Sequence, residues 1–255
     1  GYFSGPIPIE VVASGRGTSV RGLAVKADLD QAEIEIENFG YQKPSGEKAE
    51  ATLHASLGKD GSFSLDAFDL SGENIDVQGS MTLADDGRIE VANFERIFID
   101  DVVDVAFLAN RETNGALNLD IKGQHLNIAP FLEDLMKDFA AGGASTGENA
   151  DKQPSLGWRL RGEVDNLYLR GGVAMQNVQM EVDNDGSRFR MISVNGDMGD
   201  DREVFAALTT GTEDKRHLLV TATDGGEVIR GITGADQVKG GNMSLRMAFD
   251  DSPSE

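Results

Sequence analysis

The fold is decided by a stretch in which apolar and polar residues alternate, Ile75-Asp76-Val77-Gln78-Gly79-Ser80-Met81-Thr82-Leu83. A period of two puts every second side chain on the same face of a β-strand, so the stretch predicts a strand with one apolar and one hydrated face. An Asp-Gly pair follows at residues 86–87, and Gly after Asp or Asn accepts the positive φ of a tight hairpin turn. The stretch therefore predicts one arm of an antiparallel hairpin.

The same two signals recur along the whole chain. Alternating runs cover residues 32–37, 49–57, 103–107 and 117–121, and further runs begin at residues 158, 176, 189, 218 and 243. Asp-Gly or Asn-Gly pairs lie at residues 60–61, 86–87, 114–115, 185–186, 195–196 and 224–225. In the first half, turn signals are evenly spaced and leave strands of about ten residues, longer than the usual five or six.

We predict from this pattern a mainly β fold: a long antiparallel meander curled into an open, twisted, taco-like groove with one or two short helices. A sheet with one apolar face must cover that face, and curling achieves this with the apolar side inward and the acidic side outward. The edges of such a sheet invite pairing with neighbouring segments of a longer chain.

A helix and a linker divide the chain. Residues 128–140 carry apolar side chains at helical spacing, with Asn127 as a cap and Pro130 in the first turn. Residues 141–155 have the composition of a flexible linker or exposed loop. We therefore predict a β-groove segment over 1–140 that ends in a helix, a linker over 141–155, and a second segment over 156–255 that continues the sheet. A short helix is expected around residues 227–231.

Composition excludes several classes of function. The net charge of −21 repels nucleic acid and anionic membrane surfaces, so nucleic acid is not expected as a partner. The chain has no Cys and no apolar run of the roughly 20 residues that a membrane helix needs. It begins at Gly1 without Met, which suggests a segment of a longer protein.

The sequence shows no catalytic or metal-binding pattern, so we predict a protein that is not an enzyme and has no cofactor. His54, His125 and His217 are far apart in sequence. Residues 182–186 resemble the start of a calcium-binding EF-hand loop, but Ile192 occupies the place of the closing Glu. Acidic pairs at residues 100–101 and 200–201 are expected in loops.

The predicted site is therefore the apolar lining of the groove. Its residues are Ile34, Ile36, Leu53, Leu57, Ile75, Val77, Val103, Val105, Phe107, Leu117, Leu119, Ile121, Trp158, Leu160, Val164, Val178, Met180, Val182, Leu245, Met247 and Phe249. The run at residues 189–193 is predicted to alternate with Phe189, Met191 and Ser193 on one face. Such a lining can shelter acyl chains, since each methylene group kept from water is worth about 0.8 kcal/mol.

Two stretches resemble a known family. The first is residues 117–135, Leu-Asn-Leu-Asp-Ile-Lys-Gly-Gln-His-Leu-Asn-Ile-Ala-Pro-Phe-Leu-Glu-Asp-Leu, in which a strand leads into a Pro-Phe-Leu helix. The second is residues 220–231 followed by 238–245, in which a strand, an Asp-Gly helix start and a Gly-Gly strand succeed one another. Both resemble the C-terminal region of the AsmA-like proteins of Gram-negative bacteria. Asn127 stands where an Asp is common, and residues 229–234 are less apolar than the usual helix.

The resemblance implies a function in lipid transport. AsmA-like proteins are large periplasmic proteins, anchored in the inner membrane by an N-terminal helix, with a long β groove implicated in phospholipid passage during outer-membrane biogenesis. This chain would be a segment without the anchor. Its expected partners are phospholipid acyl chains, neighbouring segments of the longer chain, and proteins of the inner and outer membranes.

Two other functions are consistent with the sequence. One is a structural or adhesive extracellular β module that binds calcium at its acidic turns. The other is a β-rich hydrolase, which requires carboxylates that converge in a cleft.

Overall fold

The computed structural model describes residues 3–16, 19–58, 62–133, 136, 156–199, 202–211 and 215–249, and within them the chain is mainly β. Two compact units divide it, Gly1–Arg111 (unit 1) and Glu112–Glu255 (unit 2). Sequence analysis places a boundary after residue 140 instead. The strand at residues 117–127 belongs to unit 2 because it pairs with the strand that begins at Trp158.

Unit 1 is a seven-stranded antiparallel sheet with a small sheet beside it. The strands are β1 (Phe3–Ser4), β2 (Ile9–Arg16), β3 (Ser19–Asp28), β4 (Glu33–Ile36), β5 (Tyr41–Lys43), β6 (Ala49–Leu57), β7 (Phe63–Gly72), β8 (Ile75–Leu83), β9 (Ile89–Ile99) and β10 (Val103–Arg111). The large sheet has the order β2-β3-β6-β7-β8-β9-β10, and the small one has the order β1-β4-β5.

Unit 2 contains seven strands that pair side by side, and a helix. Its elements are β11 (Leu117–Asn127), β12 (Trp158–Tyr168), β13 (Ala174–Asn184), β14 (Phe189–Asp197), β15 (Glu203–Thr210), β16 (Arg216–Ala222), α1 (Gly225–Thr233) and β17 (Met243–Phe249). Neighbours in the sheet follow chain order. All of its strand pairs are antiparallel except β11 and β12, which are parallel. The meander predicted as antiparallel is therefore interrupted by one crossover, which a parallel pair requires.

Three of the six Asp-Gly or Asn-Gly pairs form turns, as predicted. Gly87, Gly115 and Gly186 have φ values of 79°, 90° and 93°, in the left-handed region that favours Gly. The pair at residues 195–196 is not a turn, because both residues lie inside β14. The pair at residues 224–225 begins α1, and the pair at 60–61 lies outside the described residues.

The segment predicted as a helix over residues 128–140 begins with a 3-10 turn over Ala129–Phe131. The Asn127 side-chain oxygen accepts a hydrogen bond from the Ala129 backbone N–H at 3.0 Å. Leu132, Glu133 and Met136 are helical, and the rest of the segment lies outside the described residues, as does the predicted linker over 141–155. Among the described residues, no helix has the length and apolar character needed to cross a membrane.

Two of the β-bulges in unit 1 keep apolar side chains on one face. In β7 one extra residue lies between Leu65 and Phe68, and in β9 one extra residue lies between Phe94 and Ile97. A three-residue spacing in a regular strand would put the two side chains on opposite faces. The extra residue corrects this, so all four side chains lie on the same face of the sheet.

The small sheet covers one end of the large sheet of unit 1. Ile34 in β4 is 2% exposed and Tyr41 in β5 is 5% exposed. Burial raises the pKa of Tyr41, and the nearby carboxylates of Glu47, Asp100 and Glu73 raise it further. Asp100 and Glu73 lie in the turns that end β9 and β7, so Tyr41 is at that end of the sheet.

Candidate functional site

In unit 1, three rows of side chains that pair across all seven strands contain no polar group. The central row is Val11, Val25, Leu53, Phe68, Gly79, Phe94 and Phe107. The rows on either side are Ile9, Ala27, Ala51, Leu70, Val77, Ile97 and Val105, and Ala13, Leu23, Ala55, Leu65, Met81, Ala92 and Ala109. These residues form apolar face 1. By contrast, a row on the opposite face reads Glu10, Lys26, Thr52, Asp69, Gln78 and Arg96.

Apolar face 1 is buried at one end and reaches solvent elsewhere. At the end near the small sheet, Leu70, Ile75, Ile99 and Val103 are all buried. Along the central row Leu53, Phe94 and Phe107 are only half-buried, and toward the outer strand Val11 is 56% exposed. A row of apolar side chains without a covering layer is the kind of surface that binds an apolar partner.

Unit 2 repeats this arrangement. One row is Leu119, Leu160, Val182, Ile192, Leu208, Leu218 and Met247, and the next is Ile121, Gly162, Met180, Val194, Ala206, Val220 and Leu245. Both rows cross all seven strands without a polar side chain, and they form apolar face 2. Leu208, near its centre, is fully buried, whereas Leu245 and Met247 at the outer strand are 41% and 40% exposed.

Helix α1 and the chain around it cover one end of apolar face 2. The helix begins at Asp224, whose side chain accepts a hydrogen bond from the Glu227 N–H at 3.0 Å and pairs with Arg202 at 2.9 Å. The core at this end contains Leu132, Leu167, Leu169, Val173, Met175, Val178, Met198, Val204, Ala222 and Val228. The sheet face is therefore sealed at the helix end, and its two central rows continue beyond the sealed part.

At the opposite end of apolar face 2, one buried cation lies beside aromatic residues. The Trp158 and Phe189 rings meet edge to face, with their centroids 6.0 Å apart. The Arg216 guanidinium lies 5.4 Å from the centroid of the Phe249 ring and donates a hydrogen bond to the Phe189 carbonyl oxygen at 3.2 Å. Arg216 is 1% exposed, so these contacts and the ring faces compensate for a charge that has lost its water.

The opposite face of unit 2 is charged and solvated. Lys122 pairs with Glu163 at 3.1 Å, and Arg161 pairs with Glu181 at 3.6 Å. All four side chains are more than half exposed, so each pair contributes little stability. The pairs line a shallow depression of about 390 Å³, which is bordered by three acidic and two basic side chains. In the central part of unit 2 the charged side chains therefore lie on one face of the sheet and the apolar rows on the other.

Nineteen of the 21 residues predicted to line the groove belong to the two large sheets. Those that pair in the rows of the two apolar faces, or continue them by alternation, are Leu53, Leu57, Ile75, Val77, Val103, Val105, Phe107, Leu117, Leu119, Ile121, Trp158, Leu160, Val164, Val178, Met180, Val182, Leu245, Met247 and Phe249. Ile34 and Ile36 do not, because they lie in the small sheet. Short strands with the same alternation can form a separate sheet, and alternation alone does not show which sheet a strand joins.

The sequence pattern did not identify several residues of the apolar faces. Phe68 and Phe94 lie next to bulges, where a strict period of two loses its phase. In β14 the apolar face carries Ile192 and Val194, so the prediction that Met191 and Ser193 share a face with Phe189 is wrong. The register shift between residues 183 and 184 reverses the phase there. The unequal spacing of apolar residues, three instead of two, is the signal that could have located the bulges.

The His residues and the acidic pairs do not form a metal-binding group within the described residues. His54 and His217 are exposed on the charged faces. The His125 Nδ1 and the Tyr168 hydroxyl oxygen are joined by a hydrogen bond of 3.1 Å. No group of three or more His, Asp or Glu side chains that could hold a metal ion occurs within the described ranges. The acidic pair at residues 100–101 lies in a turn, and the pair at 200–201 lies outside the described residues.

The acidic turn at residues 185–188 is held by the protein's own donors. The Asp185 carboxylate accepts hydrogen bonds from the Ser187 N–H at 2.9 Å, the Ser187 hydroxyl at 2.6 Å and the Arg188 N–H at 3.0 Å, and it also pairs with Arg190. Burial raises the pKa of Asp185, but these hydrogen bonds outweigh it and hold the pKa well below its ordinary value. The turn is therefore a structural element of the hairpin between β13 and β14.

We expect Asp185→Ala to lower the free energy of unfolding of unit 2 by about 1–3 kcal/mol at pH 7, because several donors lose a charged acceptor. Since the folded-state pKa is depressed, this stabilisation is complete above the unfolded-state pKa of about 3.9 and is lost as the pH falls below it. Urea unfolding at several pH values, followed by the fluorescence of Trp158, measures the difference. Trp158 is the one Trp of the chain and pairs with Asn184 beside the turn.

The control is Asp86→Ala in the exposed turn between β8 and β9, where Asp86 accepts one backbone hydrogen bond, from Arg88 at 3.0 Å. Its effect on unit 2 should be negligible at every pH. If the free energies of unfolding of the wild type and Asp185→Ala differ by the same amount at every pH from 7 to 2, the ionised Asp185 carboxylate does not stabilise the turn.

Comparisons of the chain with protein-family models, with curated proteins and with solved structures give no match. The resemblance to the AsmA-like family therefore stays a prediction that rests on residues 117–135, 220–231 and 238–245. In the structure these stretches contain strands, a turn and a helix. Strand β11 leads into the turn at Pro130, and β16 is followed by Asp224, α1, Gly240-Gly241 and β17.

Proposed function

We propose that this chain is a segment of a periplasmic bridge-like lipid-transfer protein, which shields phospholipid acyl chains on apolar faces 1 and 2. The observation that carries the proposal is the set of rows without a polar side chain, each crossing seven strands. Curling of such a sheet into a groove would put these rows on its inner side. The anchor in the inner membrane would lie in a segment outside this chain.

The energetic argument concerns the cost of moving an acyl chain through water. Each methylene group exposed to water costs about 0.8 kcal/mol, so a chain of about sixteen carbons costs roughly 12 kcal/mol. Strands lie about 4.8 Å apart, so a row that crosses seven strands is about 29 Å long. A lipid tail that follows such a row stays in contact with apolar side chains throughout, which removes most of that cost.

The charge distribution is consistent with this role. The apolar rows contain no charged residue. The residues that give the chain its net charge of −21 therefore lie outside these rows. Charged outer faces keep the protein soluble while the apolar faces bind tails. Under this proposal the chain carries no catalytic group, and its partners are phospholipids, neighbouring segments of the longer chain and membrane proteins at either end.

Site-specific photo-crosslinking tests the proposal. A photoreactive amino acid is placed at Leu53 on apolar face 1 and, in a separate variant, at Thr52, the preceding residue on the opposite face. A second matched pair is Val220 on apolar face 2 and Thr221 beside it. After incubation with phosphatidylethanolamine–phosphatidylglycerol vesicles and illumination, we expect lipid adducts by mass spectrometry at Leu53 and Val220, and several-fold fewer at their neighbours.

Equal adducts within each pair, or none at any position, would overturn the proposal. Solvent extraction of the purified wild-type protein provides an independent measurement, because a protein that shelters acyl chains should retain phospholipid from the expression host.

A further inference from the structure

The outermost strands of the two sheets, β2 and β17, expose apolar side chains. In β2, Ile9, Val11 and Val12 are 59%, 56% and 58% exposed, and Val12 lies on the face opposite the other two. In β17, Leu245 and Met247 are 41% and 40% exposed. No strand among the described residues pairs with the outer side of either. An unpaired apolar edge favours the addition of another strand.

The two edges are complementary in charge and in pattern. The apolar positions of β2 alternate with Glu10, and those of β17 alternate with Arg246. Both charged side chains are exposed, and Glu10 is opposite Lys26, which already pairs with Glu50 at 2.7 Å. If Glu10 lies opposite Arg246 in an antiparallel pair, then Ile9 faces Met247, Val11 faces Leu245 and Ala13 faces Met243. A shift of one residue would place apolar side chains on the charged face, so the register is specified.

We propose that the outer edge of β2 in one copy of the chain pairs with the outer edge of β17 in a second copy, with Glu10 opposite Arg246. The pairing continues the apolar rows of one copy into those of the next. It is heterologous, so assembly gives rings or open chains of copies and is not restricted to dimers. The inference is independent of lipid binding, because it depends only on the two edges.

Charge favours this pairing over the two symmetric alternatives. Two copies of β17 paired about their centre would place Arg246 opposite Arg246, and like charges directly opposite are destabilising. Two copies of β2 paired about Ala13 would place Glu10 opposite Arg16, but Val11 would then face Gly15 and Ile9 would lie beyond the end of the partner strand, so the apolar row would not continue. Only the β2–β17 pairing combines an acidic–basic pair with apolar side chains that lie opposite one another on the other face. The net charge of −21 opposes association. Association therefore requires salt, which screens the long-range repulsion.

Sedimentation velocity of the lipid-free chain at an ionic strength of about 0.15 M tests the proposal with a charge exchange. We expect the wild type to associate with increasing concentration. Glu10→Arg and Arg246→Glu should each weaken association about tenfold, and the double variant should restore it. Both side chains are exposed, so the variants should keep the circular dichroism spectrum of the wild type. A wild type that stays monomeric, or a double variant no better than the single ones, would overturn the pairing.

Cysteine cross-linking tests the register in a chain that has no Cys of its own. Under oxidation, the variant with Val11→Cys and Leu245→Cys should form dimers and higher oligomers on a non-reducing gel. The control with Val12→Cys and Leu245→Cys places the thiols on opposite faces and should form several-fold fewer. Equal cross-linking of the two variants would indicate unspecific apolar association and would overturn the proposed register.

Discussion

Leu208→Asp is expected to destabilise unit 2 by about 4 kcal/mol or more, which is enough to unfold many domains of this size. Leu208 has no exposed surface and lies between Ile192 and Leu218 in a central row of apolar face 2. The substitution removes apolar packing and buries a carboxylate that has no partner in the row. Urea unfolding followed by Trp158 fluorescence measures the loss, or shows an unfolded spectrum without urea.

Thr209→Asp is the matched control, because Thr209 is the next residue of β15 and its side chain is exposed on the opposite face. We expect a change within about 0.5 kcal/mol for this surface substitution. If both variants lose the same stability, or if Leu208→Asp unfolds at the wild-type urea concentration, the assignment of faces in unit 2 is wrong.

Gly226→Ala is expected to lower the free energy of unfolding of unit 2 by about 2–3 kcal/mol through overpacking. Gly226 is buried in the first turn of α1, and a Cβ there would lie 2.6 Å from the Gly240 nitrogen and 2.7 Å from the Lys239 Cα. Both are backbone atoms, so the helix would have to move away from the chain that precedes β17. Such a movement would loosen the core that contains Val228.

Gly211→Ala is the control for the added methyl group. A Cβ at Gly211 would meet the Lys215 carbonyl oxygen at 3.6 Å, which is an ordinary contact, and its φ is not positive. This variant should unfold at the wild-type urea concentration or slightly above it, since Ala restricts the unfolded chain more than Gly does. A Gly226→Ala protein as stable as Gly211→Ala would show that α1 does not pack closely against residues 239–240.

The face of each regular strand could be predicted from the sequence, because alternation depends only on neighbours in the chain. Val77, Leu119 and Val182 lie on the apolar faces for this reason. The mainly β class and the turn at residues 86–87 follow from the same local rules. These parts of the fold can be predicted without knowing which distant residues are in contact.

The remaining features depend on such contacts. The Asn-Gly pair at residues 195–196 has the sequence of a turn, yet it lies within β14, where Gly196 pairs with Val204. A Cβ at Gly196 would lie 2.8 Å from the Gln176 carbonyl oxygen, so Gly is required there by close approach of a neighbouring strand. Local sequence cannot distinguish this role from a turn.

The same limitation explains two larger differences. The alternation at residues 32–37 shows that Ile34 has a buried face, but only packing decides that β4 joins the small sheet. Likewise, a strand, a helix and a strand in succession can continue an antiparallel sheet or form a parallel crossover. The pairing of Leu119 with Leu160 shows that the crossover is formed.

The extra residues Asp66 in β7 and Glu95 in β9 have a consequence for how such a protein tolerates insertions and deletions during evolution. On each side of the bulge, alternate side chains face the same side of the sheet. The extra residue at the bulge brings these two alternations into phase with each other. Loss of Glu95 alone would turn one half of β9 over, so that aromatic or aliphatic side chains would face water. Length changes in these strands should therefore be accepted in pairs of residues, and single-residue changes only where a bulge is gained or lost with them.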